Sequence, residues 1–387
     1  MLKMLKKNLS KLKNLQNTFI RLACPLVLPS MALSLILLHC NPALASSQWN
    51  GKNNPENMAQ ETNYTNGHFE YHFDNLPLSG RLQTHPWACT FWPTRRQGVA
   101  SRWHGPVHTF NGKTQNFSRE DLLAMAARDP RNLENLSAVE KYDIYRGDYN
   151  YTLTGQEKCR TGNCGTASAW AGLCHGWAPA SLNFKEPHRT TVLNRDGISI
   201  TFFSADIKGL LSLLQGAYTE SEECYQVGTK NLLISRSNDI NAGALHVLLA
   251  NRIGRFNRGF CCDLDSGRQV WNHPVEGYNS VVLERRSNRV LVETTITYPG
   301  DDESYATENS LNNDSGNENF RLHKTYRYYL FLDMQGNIIG GYYVGGDAHP
   351  DFAWSVPKGK FTGIFTELED LYEKATQDVE SVNNNPI

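Results

Sequence analysis

Apolar and polar residues repeat along the chain with two periods, and each period predicts a different kind of element. An apolar stripe with helical spacing follows Ser118 in SREDLLAMAARDP, where Asp121 completes a capping box and Pro130 ends the helix. SAVEKYDIYRG predicts a second short helix, and SADIKGLLSLLQGAY predicts a third from a Ser204 cap to about Gly216. The two-residue alternation of GISITFF predicts a strand.

Strands dominate the predicted second half of the chain. Leu245 to Ile253 predicts one more helix, Gly259 to Leu264 a strand, and Asp265 to Arg268 a turn that leads into a long strand from Gln269. Further strands are predicted at 290–298, 326–333 and 338–344. Helices combined with hairpin-linked strands favour an α+β fold.

The first 45 residues have the pattern of a secretory signal peptide. Six Lys and Arg residues and no acidic residue accompany an apolar run, Leu22 to Leu38, which is followed by Ala43-Leu44-Ala45. An uncleaved membrane anchor is the alternative, because the run nearly reaches the ~18 residues of a spanning helix. We therefore expect a protein that is secreted, into the extracellular space or a periplasm.

Composition divides the rest of the chain into three parts. Residues 46–67 are rich in Asn, Ser and Thr and predict a flexible N-terminal segment. Residues 68–356 have the pattern of a globular catalytic region, interrupted by a polar loop at 299–319 that we expect to be mobile. Residues 357–387 form a C-terminal segment whose tail is expected to be loose after about residue 375.

Charge and cysteine content narrow the class of protein. When the six basic residues of the signal peptide are left out, 32 of the 38 basic residues remain. With 39 acidic residues the net charge is then −7. A nucleic-acid partner is not expected, because phosphate binding needs a basic face. Two of the nine cysteines lie in the signal peptide. The remaining seven allow three disulfides in an oxidising compartment and leave one candidate reactive thiol.

Cys174, in GLCHGWAPASL, is the thiol that the local sequence favours. Pro179 is tolerated only near the start of a helix, so a helix running through Leu182 begins close to Cys174. The helix N-terminus then favours the thiolate. Gly172 and Gly176 permit a tight turn and leave room for a substrate. A buried or bridged cysteine and a zinc ligand are the alternatives, although no paired C-x-x-C spacing supports zinc.

A thiol nucleophile needs a proton shuttle, and His246 is the candidate downstream. It begins the apolar stretch LHVLLANRI, so it fits a helix start that faces a cleft, with a buried core histidine as the alternative. His175 adjoins the sulfur in sequence, but its side chain leaves the backbone in another direction. Asp263 and Asn272 follow in chain order, and either is a candidate to accept the imidazole N–H, with Asp263 slightly preferred.

Several segments in a consistent order resemble the oomycete transglutaminase elicitor family, which has bacterial relatives. They include WAGLCHGWAPAS, SAVEKYDIYRG, GALHVLLANRIG and VWNHPVEGY, and they span roughly residues 84–354. VWNHPVEGY is similar to the peptide of this family that plants detect, V-W-N-Q-P-V-R-G-F. Here His273, Glu276 and Tyr278 replace Gln, Arg and Phe, and the charge reversal puts plant detection in doubt.

The resemblance implies a papain-like core, with the nucleophile's helix against a mainly antiparallel sheet, and secreted protein-glutamine γ-glutamyltransferase activity. Cys174 is then the nucleophile and His246 the acid/base, while proteins that supply glutamine and lysine are the partners. Calcium is a candidate cofactor, because an oomycete member depends on it. The candidate positions are DLDSG, residues 263–267, and the loop at 301–303. A papain-like thiol protease, a glutamine deamidase and a non-catalytic surface or elicitor-type binding protein are the alternative functions.

Overall fold

The computed structural model describes residues 48–59, 68–103, 105, 109–162, 166–218, 224–230, 239–301, 318–345 and 349–377. All of them fall within one unit, Pro42–Ile387. The predicted signal peptide, most of the predicted loop at 299–319 and the end of the predicted loose tail lie outside the described residues. None of the helices in the described part of the chain is long and apolar enough to span a membrane.

Side-chain caps set where two of the helices begin. The Ser118 hydroxyl accepts the N–H of Asp121 at 3.2 Å, and the Asp121 carboxylate accepts the N–H of Ser118 at 3.0 Å. Ser137 and Glu140 form the same reciprocal arrangement. Both predicted helices are confirmed. The α-helices of the described residues are α1 Arg119–Arg128, α2 Ala138–Arg146, α3 Thr152–Thr161, α4 Cys174–Asn183, α5 Ser204–Leu213, α6 Ala242–Leu248 and α7 Leu368–Thr376.

Three antiparallel sheets hold the strands of the described residues. Five strands pair in the order β1-β7-β8-β9-β10, four in the order β4-β11-β5-β6, and β2 pairs with β3. The predicted α+β class is confirmed. The strands are β1 Ser79–Arg81, β2 Thr190–Leu193, β3 Ser199–Phe202, β4 Tyr225–Gly228, β5 Phe260–Asp263, β6 Asn272–Val275, β7 Gly277–Arg286, β8 Arg289–Pro299, β9 Arg321–Leu332, β10 Ile338–Tyr343 and β11 Phe352–Ser355.

The four-stranded sheet separates two apolar cores. Successive residues of a strand point to opposite faces. Cys261 and Trp354 accordingly belong to a first core with α4 and α5, whereas Cys262 and Ala353 belong to a second core with α6 and the five-stranded sheet. We call these the first core and the second core. A side chain on this sheet therefore reaches Cys174 only from the face that carries the first core.

Several boundaries differ from the prediction, among them those of the strand after Gln269 and of the helix at Ser204. The strand expected from Gln269 begins at Asn272 and is interrupted between β6 and β7. The helix expected to be capped by Ser204 includes Ser204 as its first residue, because the Asp206 carboxylate accepts the N–H of Phe203 at 2.8 Å. The Ser204 hydroxyl instead donates to the Pro187 carbonyl at 2.6 Å.

Residues 48–59, which lie in the segment predicted to be flexible, pack against the fold. These residues form a turn and the short 3₁₀ helix Pro55–Met58, and the Met58 side chain is completely buried in the second core. The Lys52 carbonyl accepts the N–H of Gly228 at 2.9 Å, which ties the segment to β4. One methionine and backbone pairing therefore hold a stretch whose composition alone is typical of a flexible chain.

No disulfide is present among the described residues, so the expected set of three is not seen there. Cys159, Cys174, Cys224, Cys261 and Cys262 carry unpaired thiols, and Cys164 lies outside the described residues. Cys261 and Cys262 adjoin in β5 but face different cores. Counting cysteines thus does not single out Cys174, and its position in the fold has to do so.

Candidate active site

The helix that carries Cys174 begins where the sequence predicts. α4 starts at Cys174, and Leu173 is its N-cap residue. The N–H of Leu173 donates to the carbonyl of Phe91 at 2.7 Å, which anchors the start of the helix. Pro179 lies in the helix interior rather than in its first turn. The predicted start is therefore right, but the reasoning from proline to the first turn is wrong.

The two glycines beside Cys174 serve backbone packing. A Cβ on Gly172 would lie 2.3 Å from the carbonyl oxygen of Phe91, and one on Gly176 would lie 2.2 Å from that of Ser212. Such distances leave no space for any side chain. These glycines therefore do not leave room for a substrate, although the sequence predicted that they would. They let α4 approach its neighbours closely.

The Cys174 sulfur lies in a mostly closed environment next to β6. The residue is 5% exposed, its Sγ is 3.7 Å from the Val270 carbonyl oxygen, and the Asn272 amide nitrogen Nδ2 donates to Sγ at 3.6 Å. Burial raises the pKa of the Cys174 thiol, while hydrogen bonds from the backbone N–H and the side chain of Asn272 act in the opposite direction. Burial outweighs the helix N-terminus, so the resting group is a thiol that needs a base.

Asn272 and Asp263 lie side by side on the sheet. They are directly opposed in the β5–β6 register, so their side chains project from the same face. Because the Asn272 side chain reaches the Cys174 sulfur, that face carries the candidate nucleophile. The sequence treats Asp263 and Asn272 as alternatives for one role, and the hairpin instead places both on the same face of the sheet, with Asn272 in contact with the sulfur.

Asp263 is a buried carboxylate with an altered titration. Its Oδ1 accepts the N–H of Trp271 at 3.1 Å, and its Oδ2 has no hydrogen bond but lies 3.6 Å from Nζ of Lys230. Burial raises the pKa of Asp263 to about 7, and the charge of Lys230 partly opposes that shift. A carboxyl group that titrates near neutral pH is suited to accept and return a proton.

Lys230 holds the turn that leads into β6. Its ammonium group donates to the carbonyls of Gly267 and Gln269, both at 2.7 Å, and lies 3.3 Å from the Asp351 carboxylate. These contacts, together with the Asp263 carboxylate, join β4, the β5–β6 turn and the start of β11. They fix the position from which Val270 and Asn272 approach the sulfur.

The structure places His246 in the second core, where its ring does not face a cleft. The side chain is completely buried, stacks on Phe73 with ring centroids 5.9 Å apart, and its Nδ1 is 2.9 Å from the Tyr328 hydroxyl. Burial lowers the pKa of His246 to about 4. None of these contacts is shared with Cys174, so the acid/base role of His246 stays a prediction that this geometry does not support.

A substitution separates the two interpretations of His246. We expect His246→Gln to keep its catalytic rate per folded molecule but to lower the free energy of unfolding by about 1–3 kcal/mol, because it disturbs a buried hydrogen bond. Urea unfolding and turnover of the same preparation measure both quantities. Loss of turnover with unchanged stability would restore His246 to the active site.

Other groups near the sulfur were missed by the sequence analysis. The carboxylate of Asp301 raises the pKa of Cys174 through its charge, and the Trp354 indole donates to Asn272 Oδ1 at 2.7 Å. His273 packs its ring edge-on against Trp177 of α4, with centroids 5.9 Å apart, and burial lowers its pKa. His175 is exposed. Trp354 ends the segment PDFAW, residues 350–354, and only the sheet register brings it close to Asn272.

The segment that resembles the plant-detected peptide is buried from Asn272 to Tyr278. Glu276 is completely buried, and its carboxylate lies 2.7 Å from Arg81, 2.7 Å from His85 and 2.5 Å from Arg321. The glutamate in place of the family's arginine is therefore compensated inside the fold by the guanidinium groups of Arg81 and Arg321. A receptor is not expected to read this segment in the folded protein.

The turn DLDSG does not fit a calcium ion. The Asp263 carboxylate faces Lys230, whereas Asp265 accepts the N–H of Gly267 at 3.1 Å and lies 3.6 Å from Lys324. Its oxygens do not converge on one point, as calcium ligands must. In the described part of the chain, no group of three or more His, Cys, Asp or Glu residues could hold a metal ion. Residues 302 and 303 lie outside it.

Fold and site together define an α+β protein with a candidate cysteine nucleophile at a helix start. A sequence model described as transglutaminase elicitor matches residues 57–298, and the chain belongs to that family. The structure is also similar to the GP42 transglutaminase from Phytophthora sojae, with a TM-score of 0.60 and 22% identity over 84% of this chain and 98% of that chain. At this identity the likeness concerns the fold. No curated protein matches the chain.

Proposed function

We propose that this protein is an exported transglutaminase that joins protein glutamine to lysine through a thioester on Cys174. The observation that carries the proposal is the Asn272 amide, which lies 3.6 Å from a helix-start sulfur in a member of the transglutaminase elicitor family. The packing of α4 on the antiparallel strands β5 and β6 supports a papain-like core. Export is proposed from the signal-peptide pattern of residues 1–45.

The first half-reaction forms the thioester. Asp263, with its pKa near 7, accepts the proton of the Cys174 thiol, and the sulfur attacks the side-chain amide carbon of glutamine. The Asn272 amide N–H and the backbone N–H of Cys174 stabilise the developing oxyanion. The C–N bond then breaks, and ammonia leaves with the proton that Asp263 returns.

The second half-reaction decides the product. The amino group of a lysine attacks the thioester carbon, Asp263 takes the excess proton, and the C–S bond breaks to release the isopeptide and the Cys174 thiolate. Asp263 then returns its proton to the sulfur, which restores the thiol and the carboxylate. Water in place of lysine yields glutamate, which makes the enzyme a deamidase. Attack on a backbone amide instead would make it a thiol protease. The low exposure of Cys174 favours exclusion of water from the thioester.

One assay distinguishes these reactions. We expect the protein to couple a fluorescent primary amine to a glutamine-rich acceptor protein, with release of one ammonia for each amine incorporated. Gel fluorescence, ammonia release and mass spectrometry of the acceptor measure the products. Ammonia without incorporation would assign deamidation, acceptor fragments would assign proteolysis, and inertness in all three would assign a non-catalytic binding protein.

Calcium dependence is part of the proposal only through the family resemblance. The DLDSG turn does not fit the ion, so no step of the reaction is assigned to it. Comparing amine incorporation in the presence of a calcium chelator and of added calcium tests the dependence.

A further inference from the structure

The hydrogen bonds around the Cys174 sulfur extend to a residue that has no part in the proposed chemical steps. Trp354 Nε1 donates to Asn272 Oδ1 at 2.7 Å, and Asn272 Nδ2 donates to Cys174 Sγ at 3.6 Å. Trp354, Asn272 and Cys174 are 9%, 4% and 5% exposed. Bulk water therefore competes little for these groups, and the orientation of each one depends on the next.

The direction of this chain of contacts follows from donor chemistry. An indole N–H donates and cannot accept, so the end of the Asn272 amide that faces Trp354 must be the carbonyl oxygen. The opposite end, the NH₂ group, then points to the sulfur. A flipped amide would aim an oxygen lone pair at Sγ, and such an oxygen repels a thiolate.

The sheet register explains how Trp354 reaches Asn272. Trp354 pairs with Cys261 across β11 and β5, and β6 lies on the far side of β5. The indole must therefore extend across the position of Cys261. The Cys261 side chain belongs to the same core and is small enough to leave that path open.

We propose that Trp354 is a positioning residue of this site, whose indole N–H fixes the Asn272 amide with its NH₂ group toward the Cys174 sulfur. The inference deepens the proposed function and rests on Cys174 being its nucleophile. None of the contacts described for Trp354 involves the Cys174 sulfur. It acts through Asn272, and the amide orientation that it fixes stabilises the thiolate form of Cys174.

The variant Trp354→Phe keeps an aromatic ring and removes the donor. We expect the pH at which Cys174 is half-ionised to rise by about half to one unit, and kcat to fall about three- to tenfold with KM little changed. Iodoacetamide alkylation over a pH series, with the Cys174 peptide quantified by mass spectrometry, reports the ionisation. Asn272→Ala, which removes the whole amide, is expected to shift it at least as far.

The other titratable groups around the sulfur stay unchanged in this variant. They include Cys261 from β5, Asp301 after β8 and His175 on α4, together with Asp263 and His273 on the neighbouring strands. A shift of the Cys174 titration is therefore attributable to the Asn272 amide.

Trp87→Phe is the matched control. The Trp87 indole is completely buried in the same core and donates to the Phe184 carbonyl at 3.0 Å, so its loss removes a comparable hydrogen bond away from Asn272. We expect no change in the Cys174 titration. An unchanged titration in Trp354→Phe, or equal shifts in both variants, would overturn the positioning role.

Alkylation needs no substrate, so it tests Trp354 independently of the reaction. If the wild-type protein fails to incorporate amines but Trp354→Phe still shifts the Cys174 titration, the proposed function fails and the positioning role stands. If amines are incorporated and the titration does not move, the positioning role fails alone.

Discussion

Replacing Cys174 by alanine is expected to abolish amine incorporation, with kcat/KM lower by about 10⁴-fold or more. Acyl transfer through a thioester needs an atom that attacks the amide carbon and later leaves, and the substituted side chain offers none. The sulfur is also the atom that the Asn272 amide faces. Removing one buried atom leaves a small cavity, so the free energy of unfolding is expected to fall by no more than about 1–2 kcal/mol.

Cys262→Ala is the matched control for this experiment. Cys262 is a buried cysteine like Cys174, but it is completely enclosed and lies in the second core on the opposite face of the sheet. We expect its amine incorporation to stay within about twofold of the wild type. Incorporation that survives Cys174→Ala would remove Cys174 from the mechanism. Equal losses in both variants, checked against circular dichroism, would indicate a general effect on folding.

Local signals in the sequence predicted the elements around the site well. Ser118 with Asp121 and Ser137 with Glu140 are spaced as capping boxes, and both helices begin there. The start of α4 at Cys174 was also predicted, although the prediction rested on Pro179, which lies in the helix interior rather than in its first turn. These features depend on residues a few positions apart, which is the range over which sequence patterns are informative.

The prediction that His246 faces a cleft was wrong, although the apolar residues around it in the sequence indicate a buried position. GALHVLLA, residues 243–250, is apolar on every side of the helix apart from His246, and such a helix is buried rather than facing a cleft. The structure accordingly encloses the ring between Phe73 and Tyr328. A histidine flanked by apolar residues all round is thus a weak candidate for a proton shuttle, because burial also disfavours its charged form.

Pairings between strands that are far apart in the sequence could not be predicted from local patterns. The turn at 265–268 predicted the β5–β6 hairpin, but the register that places Asp263 opposite Asn272 depends on how the turn is held, in part by Lys230. The approach of Trp354 to Asn272 requires β11 to pair with β5, a contact between residues more than 90 positions apart. No local pattern encodes such a pairing, and it is this pairing that assembles the site.

The second large effect is expected from Asp263→Asn, which keeps the shape of the side chain and removes its charge. Asparagine can still accept the N–H of Trp271. It cannot take a proton from the Cys174 thiol, so we expect kcat to fall about 10²–10⁴-fold. The wild-type rate should rise with pH through about 7, where Asp263 ionises, and the variant should lack that rise. Initial rates of amine incorporation between pH 5 and 9 measure both.

The same substitution is expected to stabilise the protein above neutral pH. The pKa of Asp263 is raised in the folded state, so ionisation there costs folding free energy as pH rises from about 4 to about 7. The raised pKa, in which the opposing charge of Lys230 is already included, sets the upper limit of the gain at about 4 kcal/mol. Urea unfolding should show the full gain at pH 8 and almost none at pH 4.5.

Asp265→Asn tests whether these effects belong to Asp263 alone. Asp265 lies on the same turn, accepts the N–H of Gly267 and is 44% exposed, so its charge costs little. We expect the rate to stay unchanged and the pH dependence of stability to change only slightly, because the charge of Asp265 is a minor cause of the raised pKa of Asp263. A stable Asp263→Asn variant that is inactive would show that the site keeps a destabilising charge for its chemistry. A variant that is less stable at pH 8 would show that Lys230 outweighs burial, and full activity would assign proton transfer to another group.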